Sequence, residues 1–404
     1  MKQSCIIEIQ GHILDSLTLP KIMDTILDAG ANYIIDKIDI GKEKTTLSYA
    51  KLTITADNEQ ILNDILILVT KQGATLFKEK QLVLGECLKD RTLPDNFYSS
   101  TNMNTEILLD DEWIKVDNPA MDCAIVVDKA NKKAKCSKIS QVKKGDKVVV
   151  GHEGVKVHPI ARQNEKGLFT FMGSDVSPEK PKTVLIKKIA KRMREIKENN
   201  EGKILFVLGP AVVHTKSREA FTKLIEKGYV DHLFAGNALA THDIEAALFG
   251  TSLGVSLQEG TPISGGHSHH LRAINKVNQC GSIKAAVESG EITSGIMYSC
   301  IKNNIDFVLA GSIRDDGPLP DVITNTIEAQ IEMSKRIKGV KMTVMIATML
   351  HSIAVGNLLP ASVETICVDI NPSVVTKLSD RGSSQAIGLV TDVEAFLRDL
   401  AEYL

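Results

Sequence analysis

From residue 203 onward, continuous apolar runs of β-type residues alternate with helical segments, and this rhythm restricts the fold more than any other feature of the chain. The runs are Lys203–Leu208, Val230–Ala235, Ile305–Ala310, Met342–Ile346, Thr365–Ile370 and Ala386–Val390. Helical spacing falls between and after them at Ser217–Lys227, Leu271–Glu288, Thr293–Asn303, Val322–Lys338, Pro372–Asp380 and Val393–Tyr403. A strand that is apolar along its whole length needs cover on both faces, so the rhythm predicts a parallel sheet clothed by helices. A basic amphipathic helix, Val184–Lys197, precedes the first run.

The N-terminal part obeys a different rule. Ile6–Ile9 is a short β-type run, and Leu17–Leu27 carries helical spacing around Pro20. Tyr33–Ile40 and Thr46–Thr55 alternate apolar and polar residues, and Asn58–Thr70 follows as a helix with Asp57 or Asn58 at its cap. A last strand at Ala74–Phe77 completes β-α-β-β-α-β, the ferredoxin-like order, which is a scaffold for many activities. From Leu82 to Phe171 short strands and turns predominate, among them Cys123–Val127 and Val142–Val150, and they predict a small β-rich module. The polar, proline-bearing stretch Ser177–Lys182 marks the expected boundary. Three parts result: a ferredoxin-like α+β unit over 1–95, a β-rich module over 96–178, and a parallel-sheet domain over 179–404.

Composition narrows the function classes. The 404 residues carry a formal net charge of -2 and only 4% aromatics, which speaks against a nucleic-acid partner or an anionic membrane surface. Seven cysteines without CxxC spacing suggest neither a disulfide framework nor a zinc knuckle, so a reducing, cytoplasmic setting is expected. No apolar h-region follows Met1, and the apolar stretch Met342–Val363 is interrupted by His351, Asn357 and Pro360, so a soluble protein is expected.

Parallel sheets bind ligands beyond the carboxyl ends of their strands, and here each end is followed by small or polar residues. They include Gly209–Thr215, Gly236–Asp243, Gly311–Pro318, Thr348–His351, Asp369–Asn371 and Thr391–Val393. Turn chemistry alone accounts for any one of these loops, but six together predict a ligand crevice. Neither G-x-G-x-x-G nor a Walker loop is present, which argues against a standard dinucleotide turn and against a phosphoryl-transfer loop. Asp369 is placed either to accept from ribose hydroxyls or to cap the helix at Pro372. Three imidazoles crowd into Ser264–His270, but no carboxylate or thiolate spacing completes a metal pattern, so the loop is read as positioning a polar substrate and no metal is expected. Arg314-Asp315-Asp316 offers a planar cation and two anions, the pair of charges an amino acid needs; the alternative is a solvated cluster capping a helix near Asp321. His214 and His351 each follow a strand, as proton shuttles or as satisfied loop residues, and Cys300 reads as a core thiol.

At these loops the sequence resembles the archaeal-type ornithine cyclodeaminase family. The segments that carry the likeness are Gly236–Glu245, His269–Asn275 and Phe307–Asp321. The C-terminal part of cyanobacterial arginine-degrading bifunctional enzymes is also similar. The first hundred residues, beginning Ile6-Ile7-Glu8-Ile9-Gln10-Gly11-His12, resemble the lysine-ketoglutarate reductase/saccharopine dehydrogenase conserved region. The tail, Ile366–Pro372 through Gly388–Val393, is similar to the nucleotide domains of deoxyhypusine synthase, which hold NAD without the glycine turn.

The resemblance implies a Rossmann-like, NAD-binding C-terminal domain of the deoxyhypusine-synthase type and conversion of L-ornithine to L-proline and ammonia, with NAD used and regenerated in one turnover. It puts NAD against Asn237, Ala238, Asp316, Thr348, Met349, Leu350, His351, Asp369, Asp392 and Val393. It implies Arg314 as a clamp on the substrate carboxylate, Asp316 as manager of an amine proton, and His270 as the shuttle. A homo-oligomer is expected, and arginine hydrolysis is not. Two other readings compete: an NAD-dependent aminoalkyl-transfer or amine-oxidising enzyme, and a non-enzymatic NAD and amino-acid sensor.

Overall fold

A computed structural model describes residues 2–14, 16–41, 46–76, 81–158, 182–215, 217–380 and 386–404. The chain divides into two compact units, Met1–Phe171 with Asn357–Ser362, and Met172–Gly356 with Val363–Leu404. Phe77 and the segment 177–181, where a strand end and a boundary are expected, lie outside the described residues.

The first unit holds two sheets. In the first, β1 (Gln3–Gly11), α1 (Thr18–Asp28), β2 (Asn32–Asp39), β3 (Ser48–Ala56), α2 (Glu59–Lys71) and β4 (Thr75–Leu76) run in the ferredoxin-like order. The sheet order is β2-β3-β1-β4, antiparallel throughout. Alternation has a direct structural counterpart here: along β3, residues Ser48, Ala50, Leu52, Ile54 and Ala56 are buried and their neighbours are half-exposed. Ile7, Ile9, Leu52 and Ile54 pack against Ile22, Ile26, Ile65 and Val69 of the two helices. Asn58, not Asp57, caps α2, accepting from Ile61 N–H at 2.9 Å.

The second sheet is the expected β-rich module. Its strands are β5 (Val83–Glu86), β6 (Asn104–Leu109), β7 (Glu112–Asp117), β8 (Ala124–Asp128), β9 (Lys133–Ser137), β10 (Lys147–Val150) and β11 (Val155–His158). They are ordered β11-β6-β7-β9-β8-β10-β5 around a small core that includes Ile107, Ile125, Val149 and Val157.

The second unit begins with α3 (Lys182–Glu198), β12 (Lys203–Leu208), α4 (Ala211–His214), α5 (Arg218–Glu226), β13 (His232–Gly236) and α6 (Asn237–Phe249). A two-stranded hairpin, β14 (Thr251–Ser252) and β15 (Val255–Ser256), leads to α7 (His269–Cys280), α8 (Ile283–Glu288), α9 (Ile296–Lys302) and β16 (Asp306–Ala310). Then come β17 (Val322–Ile323), α10 (Thr326–Arg336), β18 (Val340–Ile346), α11 (Met349–Gly356), β19 (Glu364–Asp369), α12 (Pro372–Asp380), β20 (Ala386–Val390) and α13 (Val393–Tyr403). The large sheet is parallel, in the order β17-β16-β13-β12-β18-β19-β20. Apart from the short edge strand β17 this is the Rossmann order, with the direction of winding reversing between β12 and β18.

Three local expectations are corrected. The single helix expected over Leu271–Glu288 is two helices: Gly281 takes φ 87° and ends α7, and Ser282 starts α8 by accepting from Ala285 N–H at 3.0 Å. Val322–Ile323 pairs with β16 as an edge strand, so helix α10 begins only after its cap, Asn325. The stretch Asn237–Asp243 is no loop but the first half of α6.

Candidate functional site

The strand ends expected to line a crevice flank the reversal point of the parallel sheet. β12 and β18 close there without a side chain between them: a Cβ on Gly209 would lie 1.9 Å from the Ala347 carbonyl oxygen. Ala347 itself takes φ 50°, a left-handed conformation that turns the chain sharply out of β18. One strand over, a Cβ on Gly236 would meet the His351 ring at 2.9 Å, so the glycine makes room for that imidazole. Burial pushes the His351 imidazole down from its ordinary pKa, with Asp315 opposing the shift.

Helix α6 supplies most of the polar groups, and four of them point into the protein. Asn237 is 4% exposed; its Oδ1 accepts from Leu319 N–H at 3.1 Å and from Thr241 Oγ1 at 3.3 Å, tying the loop after β16 to the start of the helix. Asp243 is fully buried and holds Arg218 Nε at 2.6 Å together with the first N–H groups of α9, at Ile296 (2.9 Å) and Met297 (2.8 Å). Glu245, also fully buried, accepts His242 Nδ1 at 2.7 Å, Thr251 Oγ1 at 2.8 Å, Gly254 N–H at 3.0 Å and Leu253 N–H at 3.3 Å. The last three bonds latch the β14–β15 hairpin onto the helix. The hairpin in turn seats the His-rich loop: Gly254 and Gly266 touch backbone to backbone, where a Cβ on either would come within 2.6 Å of the other.

The loop so placed brings histidines together from three elements. His214 at the end of α4 lies edge-on to His242, ring centroids 4.9 Å apart, and His242 lies 6.3 Å from His270 at the start of α7. His214 Nδ1 meets Ser252 Oγ at 2.7 Å, and its pKa falls to about 4 because of burial first and the neighbouring His242 second. His269 stacks on Phe249 and meets Thr251 Oγ1 at 2.8 Å. His270 Nε2 stands 3.5 Å from Asp316 Oδ2, which brings together the expected shuttle and the expected proton manager. Among the described residues, no group of three or more His, Cys, Asp or Glu is disposed to hold a metal ion.

Arg314 is exposed and makes no ion pair with a described residue; its own N–H donates to Ser312 Oγ at 3.2 Å within a turn that Asp315 closes onto Ser312 N–H at 2.7 Å. The alternative role for this cluster, capping a helix near Asp321, does not occur: Asp321 accepts from Ile283 N–H at 2.7 Å, at the start of α8. Thr348 and Met349 are half-buried at the entry to α11, and the Ser352 hydroxyl bonds the Thr348 carbonyl. The Asp369 side chain does not cap α12. Its Oδ1 takes Asn371 N–H at 2.8 Å, and Asn371 does the capping at Ser373 N–H, 3.0 Å. Asp392 caps α13 at Ala395 N–H, 3.1 Å, with Val393 buried beneath it. Ala238 is half-buried in the first turn of α6. Cys300 is fully buried and its thiol pushed up by burial, as a core residue should be.

These residues fit a dinucleotide on two counts. Three aliphatic side chains, after the ends of β16, β18 and β19, are left out of the core: Ile313 is fully exposed, Leu350 80% and Ile370 72%. They offer apolar faces to flat rings. The Asp369 carboxylate, at the tip of β19, has Oδ2 unclaimed by any described residue and can accept from ribose hydroxyls. Sequence reasoning missed His242 and Glu245 as site residues. Their i, i+3 spacing was the available signal, and it was hidden by reading Gly236–Asp243 as a loop.

The sequence matches the family described as arginine dihydrolase ArgZ-like, C-terminal, Rossmann fold, over residues 187–400, and the first region of the same C-terminal part over 104–186. Residues 4–103 match the LOR/SDH bifunctional enzyme conserved region. An ornithine cyclodeaminase of Methanothermobacter thermautotrophicus is 55% identical over 97% of this chain and 95% of its own length. Two solved structures are larger than this chain. The apo structure of ArgZ, an arginine dihydrolase from the ornithine-ammonia cycle in cyanobacteria, has a TM-score of 0.87 at 38% identity and covers all of this chain with 58% of its own. AgrE in ternary complex with ornithine and NAD+ has a TM-score of 0.54 at 41% identity, covering all of this chain with 57% of its own. With identity of this order along almost its whole length, and these polar residues gathered at its strand ends, the chain belongs to the ornithine cyclodeaminase family.

Proposed function

We propose that this protein converts L-ornithine to L-proline and ammonia, with NAD as a recycled hydride carrier. The observation that carries the reading is the full-length likeness to relatives named ornithine cyclodeaminase, together with the gathering of His214, His242 and His270 next to the Asp316 carboxylate. A solved relative that covers the entire chain holds ornithine and NAD+.

The residues divide the work by chemistry. Arg314, free of carboxylate partners among the described residues, binds the carboxylate of the amino acid through its planar fork. Asp316, 72% exposed at the mouth, accepts an ammonium, and His270 beside it takes the proton that must leave before the amine can react. NAD, when bound, supplies a reversible oxidant at the substrate's Cα. Asn237, Ala238, Asp316, Thr348, Met349, Leu350, His351, Asp369, Asp392 and Val393 would hold it, Asp369 at a ribose and the exposed Leu350 against a ring. A 2'-phosphate would be repelled by Asp369, so NAD is favoured over NADP.

The test is to incubate the purified protein with L-ornithine and NAD and to measure proline, ammonia and NADH. Equal proline and ammonia without net NADH support the reading. Accumulating NADH points to a plain dehydrogenase, and ornithine returned unchanged to a sensor. Asp316→Asn is expected to abolish proline formation, by about 10²-fold or more, with unchanged circular dichroism. Near-normal turnover in that variant removes Asp316 from the chemistry.

A further inference from the structure

Glu245, like Asp243, is fully buried, and its bonding decides where two imidazole protons sit. Three of its four partners, Thr251 Oγ1 and the N–H groups of Leu253 and Gly254, donate to it, and the fourth is His242 Nδ1. Burial pushes this carboxyl up, but the bonds from His242, Gly254 and Thr251 outweigh it and hold it below its ordinary pKa, so it is an anion. An anion only accepts. His242 therefore carries its hydrogen on Nδ1, and Nε2, on the other side of the ring, is its one basic nitrogen. Thr251 has a single hydroxyl hydrogen and gives it to Glu245, so it must accept from His269, which is protonated on Nδ1 as well.

Side-chain exposure rises from 0% at Glu245 to 12% at His242, 24% at His270 and 72% at Asp316, so titratable groups run from the interior to the surface, the two rings in the middle standing 6.3 Å apart between centroids. The groups that face His242 are Glu245 on its own helix, His214 on α4 and His270 on α7; His269 is reached through Thr251 and Asp316 through His270.

We propose that Glu245 is a positioning residue for the amine chemistry, acting through His242: it fixes Nε2 of that ring as a proton acceptor and stabilises the imidazolium that results. The proposal rests on the cyclodeaminase reading above. The proton leaves an ammonium nitrogen of the amino acid, the electron pair of the broken N–H bond staying on nitrogen as the lone pair the reaction needs. It is taken up at His270, the shuttle nearest Asp316, held on His242 behind it and returned by the same route to the departing amine, so no net proton is consumed.

Histidine ring-nitrogen NMR on the full chain without substrate tests the coupling directly. In the parent the His242 hydrogen is expected on Nδ1 alone; in Glu245→Gln, whose amide can donate as well as accept, it should be shared between the two ring nitrogens. In steady-state assays the same variant should lose kcat by about 10²-fold, with KM for ornithine little changed. His242→Gln keeps a donor for Glu245 and thus the hairpin latch; it should show the same loss in kcat. A His242 ring that keeps its hydrogen on Nδ1 in Glu245→Gln, or a kcat in His242→Gln within about twofold of the parent, overturns the proposal. If the parent itself makes no proline, the cyclodeaminase reading fails, and the NMR tautomer signature still decides whether Glu245 governs His242.

Discussion

The antiparallel sheet of the first unit and the parallel sheet of the second are built from similar residues but put them to different use. In β3 each buried residue has a half-exposed neighbour, so the sheet offers one face to its helices and the other to solvent. In β12, β13 and β19 almost every side chain is buried. A sheet covered on both faces has nowhere to display chemistry except the ends of its strands, and there the polar residues gather. Buried charges of the second unit such as Asp243 and Glu245 are met by several donors each, although His232 Nδ1 and Thr343 Oγ1 on its strands find no hydrogen-bond partner among the described residues, whereas the first unit is rich in plain aliphatic contacts.

The largest effect that would sharpen this contrast is expected at Arg218. Truncating it to Ala leaves Asp243 buried without its cation, at a cost of about 3–5 kcal/mol. Denaturant unfolding measures this, and a loss below about 1 kcal/mol would mean that the N–H groups of α9 suffice. In the first unit a comparable loss needs a cavity instead. Ile54→Ala, at a fully buried position between α1 and α2, should cost about 2–5 kcal/mol. A third test concerns pH. The folded-state pKa of His214 is lowered to about 4 from an ordinary 6.5, so the unfolded chain binds more protons between those values. Stability due to this group is complete above pH 6.5 and drains away as the pH falls toward 4. His214→Gln should flatten that part of the stability profile relative to the parent, and parallel profiles would contradict it. The smallest effect belongs to Ile34, 65% exposed and opposite Thr53 on the open face of the antiparallel sheet. Ile34→Ala should stay within about 0.5 kcal/mol.

The same contrast explains what could be read from the sequence. Uninterrupted apolar runs locate six of the seven parallel strands to within two residues at their ends, the short edge strand β17 being read as helix, and alternation locates β2 and β3. Helix α6 was lost because its polar residues face inward. Asn237, Thr241, Asp243 and Glu245 are buried alongside Leu239, Ala240 and Ile244, so the helix has no polar stripe to reveal its period. The split between α7 and α8 follows from Gly281, whose positive φ the local pattern does not announce. At the site, the residue types were legible and the partnerships were not. Nothing in the spacing of His270 and Asp316 says that they meet; a hairpin latched by Glu245 brings them within reach.

The backbone contact between Gly254 and Gly266 has a consequence for how such a site can diversify. A methyl group on either residue would strike peptide atoms rather than a side chain that could turn aside, so neither position offers a neutral substitution from which new variants could spread. The aim of His269 and His270 is thereby shielded from mutational drift. The loop after β16 is under no such restraint: Ile313 projects into solvent and can be exchanged without meeting peptide atoms. Evolutionary change in what the crevice admits would then be written mostly at that rim, while the histidines behind it keep their places.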